Sequence, residues 1–225
     1  MTETTQRLID AQNKANLLFK EVENRAIIAA NRSEKDINTA VFQLANELFG
    51  IKKYWHKRIV RAGKNTLYPY DENPPNLIVK EEDIVFLDFG PIFANWEADF
   101  GRTYVLGSDA KMKKIQADIS LAWNAGKEYY NLHPDITASE LYAFVQSLSK
   151  KDGWELGGRH CGHLIGEFPH EKIEDHKIHS YIHLENHRKL NDFDLKGEKC
   201  YWILEIHFVD YLSEIGGFTE EILNL

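Results

Sequence analysis

Two cysteines, Cys161 and Cys200, in 225 residues are too few to build a disulfide framework, and alone they cannot complete a four-ligand structural zinc site. Both read as free thiols. Nowhere do about 18 apolar residues run together, so no membrane-spanning helix is expected. The opening MTETTQRLID lacks the basic cluster and apolar core of a secretory signal, which points to a cytoplasmic protein. Positive charge is also scarce: Lys and Arg number 27 against 35 Asp and Glu, a formal charge of -8. No basic stripe interleaved with aromatics offsets that excess, so a nucleic acid partner is not expected. A hydrophobic fraction of 43% and a charged fraction of 28% argue against disorder and fit an ordinary soluble protein. The length suits one domain, 1–225, with a core that needs no staples.

Apolar residues recur at helical spacing from Thr5 to Ala30 (Leu8, Ala11, Ala15, Leu18, Val22, Ala26) and again through Ile37, Val41, Leu44, Ala45 and Leu48. The second helix has Ser33 as its N-cap and Gly50 as its stop. From Tyr54 to Tyr70 the β-rich WHKRIV, a Gly63-Lys64-Asn65 turn and TLYPY predict a hairpin. Strands follow at Asp83 to Gly90, Ile92 to Trp96 and Arg102 to Leu106. Helical spacing returns through about Asn131, and Thr137-Ala-Ser-Glu140 is a capping box opening a helix to about Asp152. The final third is strand-rich. Helices, strands, helices, strands is an α+β plan with mostly antiparallel pairing, and its two halves share one order.

Asp88 and Asp99, in FLDFGPIFANWEADFGRT, each stand at the polar end of an apolar strand, where a carboxylate is costly unless paired or metal-bound. Two strands joined by a reversal can bring them to one spot and one cation. Read singly, each is a strand-end aspartate capping a turn. His163 and His170 lie in CGHLIGEFPHE, a turn-rich stretch, and neutral imidazole is a common ligand and proton shuttle. Glu205 sits inside YWILEIHF, an apolar strand that should not tolerate an unpaired charge. Glu220 follows the Gly216-Gly217 turn at another strand end. Hard oxygen ligands outnumber nitrogen and no thiolate contributes, which suits a pair of divalent ions and amide hydrolysis.

In order and spacing these residues resemble the pita-bread metallohydrolases, the family of methionine aminopeptidase, aminopeptidase P, prolidase and creatinase. The carriers are D-F-G-(x)8-D-F-G-R-T, G-H-x-I-G-x-x-x-H-E at Gly162 to Glu171, and the glutamates of ILEIHF and GGFTEE. The resemblance runs from about Thr5 to the C-terminus. It implies a curved, mostly antiparallel sheet in pseudo-twofold halves, flanked by helices and cradling two divalent ions, with Mn, Co, Zn and Fe all admissible. It implies Asp88, Asp99, His163, Glu205 and Glu220 as the metal ligands, with a hydroxide between the ions. Glu205 would also take a proton from that water, and His170 would stabilise the oxyanion or leaving amine. Glu221 is the alternative to Glu220, since a one-residue slip exchanges the faces of a strand.

Catalytic members of the family carry another histidine ahead of the first aspartate, in contact with substrate. Here that segment reads TLYPYDENPP, and Tyr68 or Tyr70 occupies the neighbourhood. A phenol hydrogen-bonds a carbonyl but is a poor base near neutral pH. His56, in the first arm of the expected hairpin, is a candidate for the vacant substrate-binding place; a surface histidine in a Lys/Arg-rich strand is the plainer reading. His176, His179, His183 and His187 would share one face if helical and otherwise form a solvated stretch, a candidate lid. His160 and His207 are placed to support the ligands from outside. The expected activity is that of an aminopeptidase or Xaa-Pro-type peptidase on a peptide or peptide-like substrate. The alternatives are a peptide-binding module that has lost catalysis and a creatinase-like hydrolase of a small C–N bond. A homodimer is a plausible partner arrangement.

Overall fold

A computed structural model of the chain describes residues 2–169, 178–194 and 197–225. Helices α1 (Glu3–Asn24) and α2 (Glu34–Phe49) precede β1 (Ile59–Ala62), β2 (Asp83–Phe89), the short β3 (Ile92–Phe93) and β4 (Trp96–Glu97), and β5 (Phe100–Leu106). Helices α3 (Ala110–Leu132) and α4 (Ala138–Asp152) then precede β6 (Glu155–Leu156), β7 (Leu164–Ile165), β8 (Tyr201–Asp210) and β9 (Ile215–Ile222). The main sheet runs β1-β2-β5-β9-β8-β6, with β7 paired to β8, and each of these pairings is antiparallel. The expected α+β plan is therefore the observed one. The two halves of the chain meet where β5 pairs with β9.

Local chemistry explains most boundaries. Ser33 and Thr137 each form a reciprocal capping box, with Asp36 and Glu140, and Gly50 and Gly153 end the same helices in the left-handed region at φ 68° and 84°. Helix α1 stops short of the expected Ala30, because Ala26 (φ 48°) leaves helical space and Ile27 N–H turns back to the Val22 carbonyl. The hairpin expected between Tyr54 and Tyr70 does not form. After β1 the chain enters a 3-10 turn at Gly63–Leu67, and β1 takes β2 as its partner, pairing Ile59 with Asp88 and Ala62 with Val85.

Buried Glu34 replaces that missing hairpin as the organiser. Its carboxylate accepts from Ala62 N–H (2.7 Å), Leu77 N–H (2.9 Å) and Asn65 Nδ2 (3.0 Å), tying the first turn of α2 to the 3-10 turn and the segment beyond it. Glu34→Ala is expected to lower stability by roughly 2–4 kcal/mol, because it strands several donors in the interior. Urea unfolding measures this, and a change near zero would show that water reaches those donors.

Alternation divides the sheet into a structural face and a chemical one. Val85, Leu87 and Phe89 of β2 pack in one core with Leu18, Val41 and Leu44 of α1 and α2, while Trp202, Leu204, Ile206 and Phe208 of β8 pack in another with Ile115, Ile119 and Leu141 of α3 and α4. Because side chains alternate along a strand, Asp88, Glu205 and His207 are directed to the opposite side.

Candidate metal centre

Register gathers the site. Across four strands, Asp88 is paired with Gly101, Gly101 with Glu220, and Glu220 with Glu205, so one transverse row carries three carboxylates on one face. Gly101 is the gap in that row. A Cβ there would lie 2.4 Å from the Phe218 ring and 3.1 Å from Glu220 Cγ, so only glycine lets the flanking groups close in. Asp99 enters from just before β5, and His163 from just before β7.

Around Asp99 the donors are close. His163 Nε2 is 3.0 Å from Asp99 Oδ2, and His56 Nε2 is 3.0 Å from Asp99 Oδ1 and 3.5 Å from Asp88 Oδ1. Among the described residues, two triads have donor atoms all within 4.8 Å of one another: His56, Asp88 and Asp99, and Asp99, His163 and Glu220. Neither includes Glu205, which adjoins Glu220 in the row and has a carboxylate oxygen 3.6 Å from His160 Nδ1. The structure thus brings Asp88, Asp99, His163 and Glu220 together, with Glu205 beside them. It also separates the two candidate glutamates: Glu220 is 2% exposed and faces the cluster, whereas Glu221 pairs with Arg102.

The electrostatics are those of a buried site that holds more carboxyls than it can ionise. Burial pushes Glu205 up to about 8 against the pull of His163, and Asp88 and Asp99 add to the rise. It lifts Asp88 to about 6, opposed by His56 and helped by Asp99. Glu220 is driven well above its ordinary value, first by burial and then by Asp99, Asp88 and Glu205. Asp99 goes the other way. Burial works upward on it too, but His56 and His163 outweigh that and hold it below the usual carboxylate range. For His56, burial works downward, yet Asp88 and Asp99 raise it to about 9.

Four carboxyls lie against two imidazoles, so the cluster by itself keeps part of its acid protonated, and among the described residues the buried Glu220 Oε1 has no hydrogen-bond partner. Mixed carboxylate and imidazole donors, closely grouped and with an orphaned oxygen, fit divalent cations of the borderline or hard kind.

Other expectations fare differently. His56 is not a surface residue: its side chain is 7% exposed, and it precedes β1 rather than forming a hairpin arm. Its sequence setting, Trp55-His56-Lys57-Arg58, hides this, because burial comes from Gly90 and Asp99 far along the chain. The hydroxyl of Tyr70 accepts from Lys57 N–H at 3.3 Å, and its ring lies 5.9 Å from that of His56, so the tyrosine does stand near the cluster. Tyr68 is half-buried. His207 is turned elsewhere: it shares a pocket with Phe86 and Phe218, its Nε2 donates to the Thr66 carbonyl (2.8 Å), and burial lowers it to about 4. His160 lies against the Tyr181 ring at a tilt of 36°, and burial, then His163 and His183, lower it to about 3. His170 and His176 lie outside the described residues. His179 falls in a 3-10 turn (Ile178–Ser180), and His183 and His187 in irregular backbone, so these three do not line a helix face.

Comparison with known proteins places the chain among relatives of known fold. A Xaa-Pro dipeptidase of Pyrococcus horikoshii is 25% identical over 175 residues, which cover 73% of this chain and 49% of that protein. The chain thus spans about half the length of that curated relative. A prolidase from Thermococcus sibiricus superposes with a TM-score of 0.75 at 22% identity, over 96% of this chain and 56% of the other. A methionine aminopeptidase from Thermotoga maritima gives 0.72 at 15% identity, over 99% of this chain and 92% of the other. Those superpositions establish the shared pita-bread fold. The profile of metallopeptidase family M24 matches residues 6–195, most of the chain, and with its acid-rich row on that fold the chain belongs to this family.

Proposed function

We propose that the chain is a metal-dependent hydrolase that cleaves at the N-terminal end of a peptide, with a Xaa-Pro-type or aminopeptidase preference. One observation carries this reading: Asp88, Asp99, Glu220 and His163 converge, with Glu205 adjoining, in a buried site whose carboxyls outnumber its imidazoles. The name of the Pyrococcus horikoshii relative supports the Xaa-Pro half of the preference. Asp88, Asp99, His163, Glu205 and Glu220 would hold two divalent ions, and Asp99 has an imidazole facing each of its oxygens. Ions held there would supply Lewis acidity toward a scissile carbonyl and make a nucleophile of water near neutral pH.

The chain's own groups do the rest. Glu205 is assigned the water's proton, which it would accept on its carboxylate, and burial around it keeps that proton from exchanging freely with solvent. Tyr70, held by the backbone of Lys57, would orient the substrate carbonyl through its hydroxyl. His170 keeps the oxyanion role implied by the resemblance.

A second reading is favoured by the phenol itself. With Tyr70 where a histidine is expected, the site would bind a peptide end and turn it over slowly or attack a smaller C–N bond. Both readings meet one test. The protein is stripped with chelator and reloaded separately with Mn, Co, Zn and Fe. Release of product is then followed from Xaa-Pro dipeptides, Met-initiated peptides and creatine. Metal-dependent turnover of an Xaa-Pro or Met-initiated substrate is the expected result. Peptide binding without turnover would replace the first reading with the second.

A further inference from the structure

His56 and His163 are held in the same way, although they come from opposite halves of the chain. His56 Nδ1 is 2.7 Å from the Lys57 carbonyl, and His163 Nδ1 is 2.8 Å from the Leu164 carbonyl. A ring nitrogen beside a carbonyl oxygen must be its N–H, so in each neutral ring Nε2 is the bare nitrogen. That is how a ligating imidazole is prepared: the far nitrogen donates to a backbone carbonyl, and the near one presents its lone pair. The two bare nitrogens then face opposite oxygens of one carboxylate, Oδ1 and Oδ2 of Asp99, each at 3.0 Å. A lone pair turned toward a carboxylate repels it unless a cation lies between or a proton joins them.

The position of His56 is also built by its surroundings. A Cβ at Gly90 would sit 2.2 Å from His56 Cδ2 and 2.4 Å from Trp55 Nε1, so the bare backbone of that glycine is what admits the pair. Trp55 stands edge-on to both imidazoles, with ring centroids 4.4 Å from His56 and 5.3 Å from His163. Its Nε1 donates to the Ala98 carbonyl at 3.1 Å, anchoring it next to Asp99.

We infer that His56 is a metal ligand, supplying through Nε2 an imidazole to the ion on the Asp88 side, as His163 does on the Glu220 side. The inference rests on the metal reading proposed above and adds to it. Each ion then has one nitrogen donor among its oxygens, which biases the pair toward borderline ions such as Zn, Co and Fe and away from Mg and Ca. The competing account makes His56 a protonated partner of Asp88 and Asp99 that never meets a cation.

Equilibrium dialysis of chelator-stripped protein against zinc separates these. Wild type should take up two ions per chain. His56→Ala should keep one tightly and bind the second at least about tenfold more weakly. Added imidazole should restore it. Both ions bound by the variant with wild-type affinity would overturn the inference and leave the metal reading standing; no ion bound by wild type would overturn both. A wild-type measurement covers the case of a variant that misfolds: in 113Cd-loaded, 15N-labelled protein, one-bond coupling to Nε2 of His56 as well as His163 is expected. Coupling to His163 without His56 would overturn the inference.

Discussion

Asp99→Asn is expected to remove both ions and metal-dependent turnover together, the largest effect of any single substitution in the chain. The reason is position. Each Asp99 oxygen faces its own imidazole, and its carboxylate belongs to both donor triads, so its loss is felt on both sides of the site. Replacing a mere outer partner of a ligand typically costs about 10–100-fold in metal affinity, and loss of a shared ligand should exceed that. Asparagine keeps the shape and one carbonyl oxygen, so the fold should persist. Metal analysis alongside a thermal melt checks this, and a folded variant that still carried two tightly bound ions would remove Asp99 from its assigned place.

The second large effect concerns pH. In the metal-free protein, burial raises Glu205 to about 8 and Asp88 to about 6, and Glu220 also lies well above its ordinary value. A carboxyl raised on folding stabilises most below its unfolded value near 4, and that contribution is lost as pH rises through the folded value. His56, raised to about 9 by Asp88 and Asp99 against burial, acts in the same direction above its unfolded value near 6.5. Asp99 is depressed, so its contribution is lost only in stronger acid. The metal-free melting temperature should therefore be eroded by these groups from about pH 5 to 9.

Divalent ions would reverse the sign, because on the proposed reading they bind the deprotonated cluster and displace its protons. The gap between loaded and metal-free melting temperatures should widen steadily from pH 5 to 8. His207, lowered by burial to about 4 and bonded to the Thr66 carbonyl away from the cluster, weakens both forms below about pH 6.5 and cancels in that gap. Paired melts across this range are the measurement. A gap independent of pH would mean that the carboxyls are not the groups that meet the ions.

How much of this was legible in the sequence follows from how local each signal is. Helix caps are local, and Ser33, Gly50 and the Thr137–Glu140 box appear where the sequence places them. The acidic positions were legible because a charge within FLDFG or YWILEIHF conflicts with its apolar neighbours. Choosing Glu220 over Glu221 required register, which the pairing of Glu220 with Gly101 and of Glu221 with Leu204 supplies. The expected hairpin failed for a related reason. The partner of β1 is more than twenty residues away, selected by Glu34 and by the packing of Val60 and Ala62 against α2, which no short turn signal encodes. His56 was legible as a candidate and not as a buried one, since its setting depends on Gly90, Trp55 and Asp99 meeting in space.

Anomalous diffraction from crystals of zinc-loaded protein tests the central claim most directly. Two peaks, one on either side of the Asp99 carboxylate and each about 2.0–2.2 Å from carboxylate or imidazole donors of the cluster, are the expected result. A single peak, or none, among Asp88, Asp99, His163, Glu205 and Glu220 at full metal loading would contradict it.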